Sequence, residues 1–162
     1  MSESGPDDSF NQLYAREFAY VWQTVGRLGH PQRDIADAVH DVFVIVYRRR
    51  EELDPARSVR PWLFGVARKV VAGARRKDRV DPSDDVDRIE APPPHAERDL
   101  LWRALAQLTE DRRVVVILHD LEGYTGLEIA AQLDISPNTV HSRLRLARED
   151  LVRVLTELRG AA

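Results

Sequence analysis

The chain has 162 residues, 43% hydrophobic and 31% charged, with a formal net charge of -3. Single domains cluster at roughly 100–150 residues, so there is room for one compact domain or two small ones. No run approaches the ~18 uncharged apolar residues that a membrane helix needs, which excludes a membrane span, and zero cysteines exclude disulfides, thiolate metal sites and thiol nucleophiles. The first eight residues hold three acids and no base, the reverse of a secretory leader, and predict a cytoplasmic protein.

Apolar residues recur at spacings of three and four throughout, without strand-like alternation, so the predicted fold is all-α. Phe10, Leu13, Tyr14, Phe18, Val21, Trp22, Val25 and Leu28 form the stripe of a first helix that ends at Gly29-His-Pro31. A second helix, from about Gln32 to Arg50, buries Ile35, Val39, Val42, Phe43 and Val46. Its acids Asp34, Asp37 and Asp41 share one face. Pro61 suits a first helical turn and starts a third helix, Arg60 to Lys77. Trp62, Val66 and Val70 are expected to face inward there, with Gly65, Arg68, Lys69, Ala72, Arg75, Arg76 and Arg79 on the opposite side.

Residues 81–95 are acidic and rich in proline, with almost no large apolar side chain, and read as a flexible linker. Two small helical domains follow from it, at 9–80 and 96–159. In the second, Leu100, Leu101, Leu105 and Leu108 mark a fourth helix. Thr109 is placed to cap a fifth, which stops near Gly123. Thr125-Gly-Leu-Glu128 is a capping box before a sixth. Ser136 as cap and Pro137 at the first position then open a long seventh helix, and the spacing is that of a helix-turn-helix.

The charge is unevenly distributed. Arg57 to Arg79 carries eight bases against one acid, a local net of +7, and Asp81 to Asp99 carries seven acids against two bases, a local net of -5. Binding to a polyanion follows such local charge. The third helix combines a basic stripe, small residues and the aromatics Trp62 and Phe64 beside the loop Arg57-Ser-Val-Arg60, the ingredients that hold single-stranded nucleic acid by stacking and phosphate neutralisation. A solvated surface, or a site for an acidic protein, would carry the same stripe. The acidic face of the second helix fits a basic protein surface or plain solvation.

In the helix-turn-helix, Ile129, Ala130, Leu133, Ile135, Val140 and Leu144 would lock the two helices together. Asn138, Thr139, His141, Ser142, Arg143 and Arg145 would remain outside. Amide, hydroxyl and guanidinium groups are the ones that read base edges and hold phosphates in the major groove. A helical hairpin with a solvated polar face is the alternative. The five histidines show no ligand spacing, so no metal or other cofactor is expected. With no Gly-rich phosphate loop, nucleophile elbow or catalytic acid–base pair, the chain is not expected to be an enzyme.

Three segments in order carry a family resemblance: Asp37-Ala-Val-His-Asp-Val-Phe43, Pro61-Trp-Leu-Phe-Gly-Val-Ala-Arg68, and Leu121 to Arg148. The chain resembles the sigma-70 family over nearly its whole length, specifically the two-domain extracytoplasmic-function sigma factors, and the three segments are similar to their polymerase-binding, promoter-melting and minus-35-reading segments. The resemblance implies core RNA polymerase binding, at the clamp helices, by Asp37, His40, Asp41 and Phe43. It implies minus-10 contacts from Arg57, Arg60, Trp62, Arg68, Lys69, Arg75 and Arg76, with a flipped base held by the loop before Trp62. Minus-35 contacts fall to Ser136, Asn138, Thr139, His141, Ser142, Arg143, Arg145 and Arg148, in a domain that also touches the polymerase flap. Promoter DNA, polymerase and an anti-sigma factor are the implied partners. His40 stands where the family often has Gln, Lys69 where Asn is common, and Asp134 at the usual turn Gly. A stand-alone helix-turn-helix regulator, or an interaction module that has lost DNA binding, are the competing readings.

Overall fold

A computed structural model describes residues 6–77, 93 and 95–161, with side chains for 8–74, 93 and 95–161. Every described element is helical: α1 (Pro6–Arg27), α2 (Ile35–Arg48), α3 (Arg60–Lys77), α4 (Ala96–Ala106), α5 (Glu110–Val116), α6 (Gly126–Leu133) and α7 (Pro137–Gly160). They divide into two compact units, α1–α3 and α4–α7. The expected 81–95 linker falls almost wholly outside the described residues.

In the first unit, α1 lays aromatic rings at i, i+4 spacing against α2. Tyr14 and Phe43 lie 4.6 Å apart, Phe18 and Phe43 stack at 6.5 Å, and Phe10 meets Tyr47 edge-on at 5.0 Å. Such offset and edge contacts are the favoured ring geometries. The second helix begins differently from expectation. Gln32–Asp34 is a single 3-10 turn, and α-helical geometry starts only at Ile35. At the other end the chain makes a further 3-10 turn, Arg50–Glu52.

α3 spans the expected residues but turns a different face inward. Leu63, Phe64, Val66, Ala67 and Val71 are buried, whereas Trp62 and Val70 are half-exposed. Phe64, at 1% exposed, is therefore core and unavailable for stacking on a base. The run Trp-Leu-Phe-Gly-Val-Ala is apolar at nearly every position and permits several helical phases. Packing on α2 selects the one that buries 63, 67 and 71.

In the second unit α7 packs on α4, α5 and α6 through Val140, Leu144, Ala147 and Val154. Arg113, buried on α5, donates to the carbonyls of Leu105 at 2.8 Å, Ala106 at 3.1 Å and Leu108 at 2.7 Å. It thus satisfies acceptors that the end of α4 leaves open. His95 caps the start of that helix, its Nδ1 accepting from the Arg98 N–H at 3.3 Å. Thr109 occupies the N-cap position of α5, as expected, but its side chain makes no capping hydrogen bond. Beyond Val116 the helix widens into a π turn, Ile117–Leu121, closed by Glu122 N–H to Ile117 O at 3.0 Å.

Candidate nucleic-acid and polymerase interfaces

The helix-turn-helix is set by three local devices. Thr125 Oγ1 accepts from the Glu128 N–H at 3.2 Å and starts α6. Asp134 ends it in a left-handed conformation (φ 54°, ψ 51°), which Asp tolerates better than most residues because its short side chain can bond locally. Ser136 then caps α7, its Oγ accepting from the Thr139 N–H at 3.1 Å and lying 2.8 Å from Thr139 Oγ1. The Ser136 hydroxyl is thus engaged in starting the helix.

Asn138, His141, Ser142 and Arg145 are exposed along the solvent side of α7's first half, and Thr139 is half-exposed. Arg145 bridges to Glu149 at 3.1 Å, an exposed i,i+4 pair of the kind worth only about 0.3–0.5 kcal/mol. The other two candidate arginines are tied to acids of the neighbouring helix, Arg143 half-exposed and Arg148 exposed. Arg143 lies 3.7 Å from Asp111 on α5, and Arg148 makes a two-point bond with Asp120 on the π turn. Hydrogen bonding from Arg148, despite partial desolvation, holds the Asp120 carboxyl at about 2, below its usual 3.8.

The first unit carries the other candidate surfaces. On α2, His40 and Asp41 are exposed and Asp37 is half-exposed. Phe43, expected among the polymerase contacts, is 4% exposed and packed against Tyr14 and Phe18. Core packing has claimed it, so it can serve a polymerase contact only by supporting α2 from below.

On α3 and the loop before it, Arg57 is exposed and lies 3.5 Å from Asp54. Arg60 bridges to Glu17 at 2.9 Å. Trp62 sits beneath the Arg49 guanidinium, 5.6 Å from its ring centroid, and Arg49 is itself fixed by Glu52 at 2.6 Å. Arg68 is half-exposed and Lys69 exposed. The helix backbone is described through Arg75 and Arg76, but their side chains lie outside the described residues, as does Arg79. A Cβ added at Gly65 would meet open space, so no neighbour in the fold demands a glycine there. Among the described residues no group of His, Cys, Asp or Glu is placed to hold a metal ion, and no helix is long and apolar enough to cross a membrane.

Two family models match the chain: sigma-70 region 2 over residues 13–80 and sigma-70 region 4 over residues 98–151. The ECF RNA polymerase sigma factor SigL of Mycobacterium tuberculosis is 32% identical over 90% of this chain and 88% of its own length. The chain belongs to the sigma-70 family, among the ECF RNA polymerase sigma factors. The ECF sigma-E factor of Escherichia coli is 31% identical to this sigma factor over 91% of its chain and 86% of the relative. Among solved structures, CnrH in complex with the cytosolic domain of CnrY superposes with a TM-score of 0.67 at 27% identity, covering 95% of this sigma factor and 92% of that chain. The sigma factor RpoE of Bartonella quintana, solved with the anti-sigma factor NepR, shares the fold at a TM-score of 0.70, covering 92% and 98% of the two chains at 20% identity.

Several residues of this sigma factor's surfaces were not legible from charge and motif alone. Asp111 and Asp120, which pair with two candidate DNA-binding arginines, fall on a helix read only for its cap and its end. Glu17 had a readable signal: it lies four residues from both Leu13 and Val21, inside the stripe of α1 where an apolar side chain is expected.

Proposed function

We propose that this sigma factor brings core RNA polymerase to promoters in the cytoplasm, with residues 9–80 and 96–159 acting on separate promoter elements. The observation that carries the reading is the solvent side of α7. Asn138, His141, Ser142 and Arg145 stand exposed and free of acids over the helix's first half, in a chain whose two units match regions 2 and 4 of the family. These side chains read base edges and phosphates when the helix lies in a major groove, with Thr139, Arg143 and Arg148 at its flanks and Ser136 fixing its start.

In the first unit, Asp37, His40 and Asp41 meet the clamp helices of polymerase, while the second unit touches the flap. Arg57, Arg60, Trp62, Arg68, Lys69, Arg75 and Arg76 take the melted minus-10 strand. The displaced base leaves its stack at a cost of a few kcal/mol, which contacts from the loop before Trp62 offset. An anti-sigma partner would hold the protein back from polymerase by covering these same surfaces. The role is regulatory, with no reaction catalysed by this chain itself.

Run-off transcription with purified core polymerase and a promoter library tests the reading. A promoter-dependent transcript that appears only with this protein, and weakens when Arg68 or Arg143 is changed to Ala, is the expected result. No transcript above core polymerase alone overturns it. Stable duplex binding by the protein without polymerase would instead favour a stand-alone regulator.

A further inference from the structure

Glu17 is 5% exposed, on the buried stripe of α1 between Leu13 and Val21. A buried carboxylate costs several kcal/mol unless it is paired, and Glu17 is paired on both oxygens. Arg16 Nε donates to Oε1 at 3.0 Å and Arg60 Nε to Oε2 at 2.9 Å. Arg60 is the first residue of α3 and the last of the loop that leads into it. Its guanidinium also lies over the Tyr20 ring, 4.7 Å from the centroid, and Tyr20 Oη donates to the Arg60 carbonyl at 3.4 Å. Both the side chain and the main chain of Arg60 are therefore tied to α1, one helical turn apart.

We propose that Glu17 is a positioning residue for promoter melting: by clamping Arg60 it fixes the start of α3 and the preceding loop in the arrangement that receives the unpaired minus-10 strand. The inference rests on the reading above, in which that loop and α3 take single-stranded DNA. The clamp borders a groove of about 730 Å³ between α1 and the loop, walled by Glu17, Arg57, Ser58, Val59 and Arg60. Arg57 projects further than Arg60, with 86% of its side chain exposed and only a long 3.5 Å contact to the exposed Asp54, and is the more open of the two to phosphate. The Arg60 Nε is committed to Glu17, so the clamp sets the orientation in which the exposed part of its guanidinium meets the strand.

Stability alone is a weak reason for an acid at this position. Apolar residues in place of buried charge are often neutral or stabilising, and Arg60, exposed while only Glu17 is buried, can turn to solvent once released. What an apolar residue cannot supply is a directional bond that fixes one orientation of the α3 start.

The test compares Glu17→Gln, Glu17→Leu and Arg60→Lys with the wild type, each assembled with core polymerase. Three quantities are measured: affinity for a single-stranded minus-10 oligonucleotide from a promoter selected by run-off transcription, affinity for core polymerase, and the thermal midpoint of the free protein. Coupled groups in one network interact on a scale that predicts about a tenfold loss of oligonucleotide affinity for the Glu17 variants and about threefold for Arg60→Lys. Core affinity should stay within about twofold, and the midpoint of Glu17→Leu should hold or rise. Pre-melting the template should leave the defect in place, because the clamp acts on strand capture. Wild-type binding that all three variants retain overturns the positioning role alone, as does an equal loss of core affinity. A wild-type holoenzyme that ignores the oligonucleotide overturns the underlying reading and the proposal with it.

Discussion

Arg148 of α7 is held at two points by Asp120 of the π turn, with Nη2 donating to Oδ1 at 2.7 Å and Nε to Oδ2 at 2.9 Å. His119 joins them, its Nδ1 lying 2.7 Å from Asp120 Oδ1 and 3.3 Å from Arg148 Nη2. A cation so engaged is partly neutralised before any phosphate reaches it. Asp120→Asn therefore should raise holoenzyme affinity for promoter duplex at low salt. It should also steepen the fall of log K with log[salt] by about 0.9, the share of one additional phosphate neutralised. Titrating binding against salt for the two proteins checks this, and an unchanged slope would assign the pair to helix packing only.

The same carboxylate makes stability depend on acid. Arg148 holds the Asp120 pKa at about 2 against an ordinary 3.8, and a hydrogen bond from Arg112 lowers that of Asp150. Folded-state values below the unfolded ones mean that both pairs contribute fully above the ordinary carboxylate range. The contribution fades as pH falls through the folded values. For the partly exposed Asp120 pair it amounts to about 0.2–1 kcal/mol. Thermal midpoints measured from about pH 5 down to about pH 2 should drop less steeply for Asp120→Asn than for the wild type.

Phe43 and Asp41 lie two residues apart on α2 and should behave oppositely. Phe43→Ala removes a ring from the α1–α2 contact and is expected to cost about 3–5 kcal/mol, losing polymerase binding together with the fold. Asp41→Ala and His40→Ala change exposed side chains and should stay within about 0.5 kcal/mol of the wild type in stability while weakening capture of core polymerase. Denaturant midpoints and pull-down by core polymerase separate the two effects.

Gly65 offers a case where stability and activity part. Ala at this half-exposed helical position meets no neighbour and should stabilise α3 by about 0.5–1 kcal/mol. If the small residues of that face admit the DNA backbone, Gly65→Ala should lower open-complex formation even as the thermal midpoint rises. Permanganate footprinting of the melted promoter reads the first and calorimetry the second.

The turn of the helix-turn-helix can be tuned in both directions. Asp134→Gly removes the steric cost of a left-handed residue, which reaches roughly 1–2 kcal/mol for ordinary side chains, and should raise the midpoint. Ser136→Ala removes the cap of α7 and should lower stability by about 1 kcal/mol. Thermal melts of the two variants check the signs.

Much of this fold was legible because its punctuation is chemical. Pro61 announces the start of α3, Thr125 and Ser136 announce two caps, and Asp134 fits the only non-glycine left-handed position among the described residues. Phase was less legible. In Trp62 to Ala67 periodicity alone cannot choose between burying Trp62 and burying Leu63 with Phe64, since the choice belongs to the partner helix. The π turn was not legible at all. It depends on hydrogen bonds reaching five residues back, Glu122 to Ile117 among them, and it carries Asp120 to Arg148 in a way no sequence spacing announces. For the candidate surfaces, residue type marked the exposed donors of α7 correctly as outward-facing, whereas the acids that restrain their neighbours became visible only once α5 lay beside α7.

On α7 the residues that pack, Val140, Leu144, Ala147 and Val154, share no positions with the exposed Asn138, His141, Ser142 and Arg145. Mutational drift at the outward letters can therefore proceed without eroding the scaffold. A duplicated copy of such a gene could shift toward new regulatory targets one substitution at a time, each intermediate remaining a folded, assembly-competent subunit.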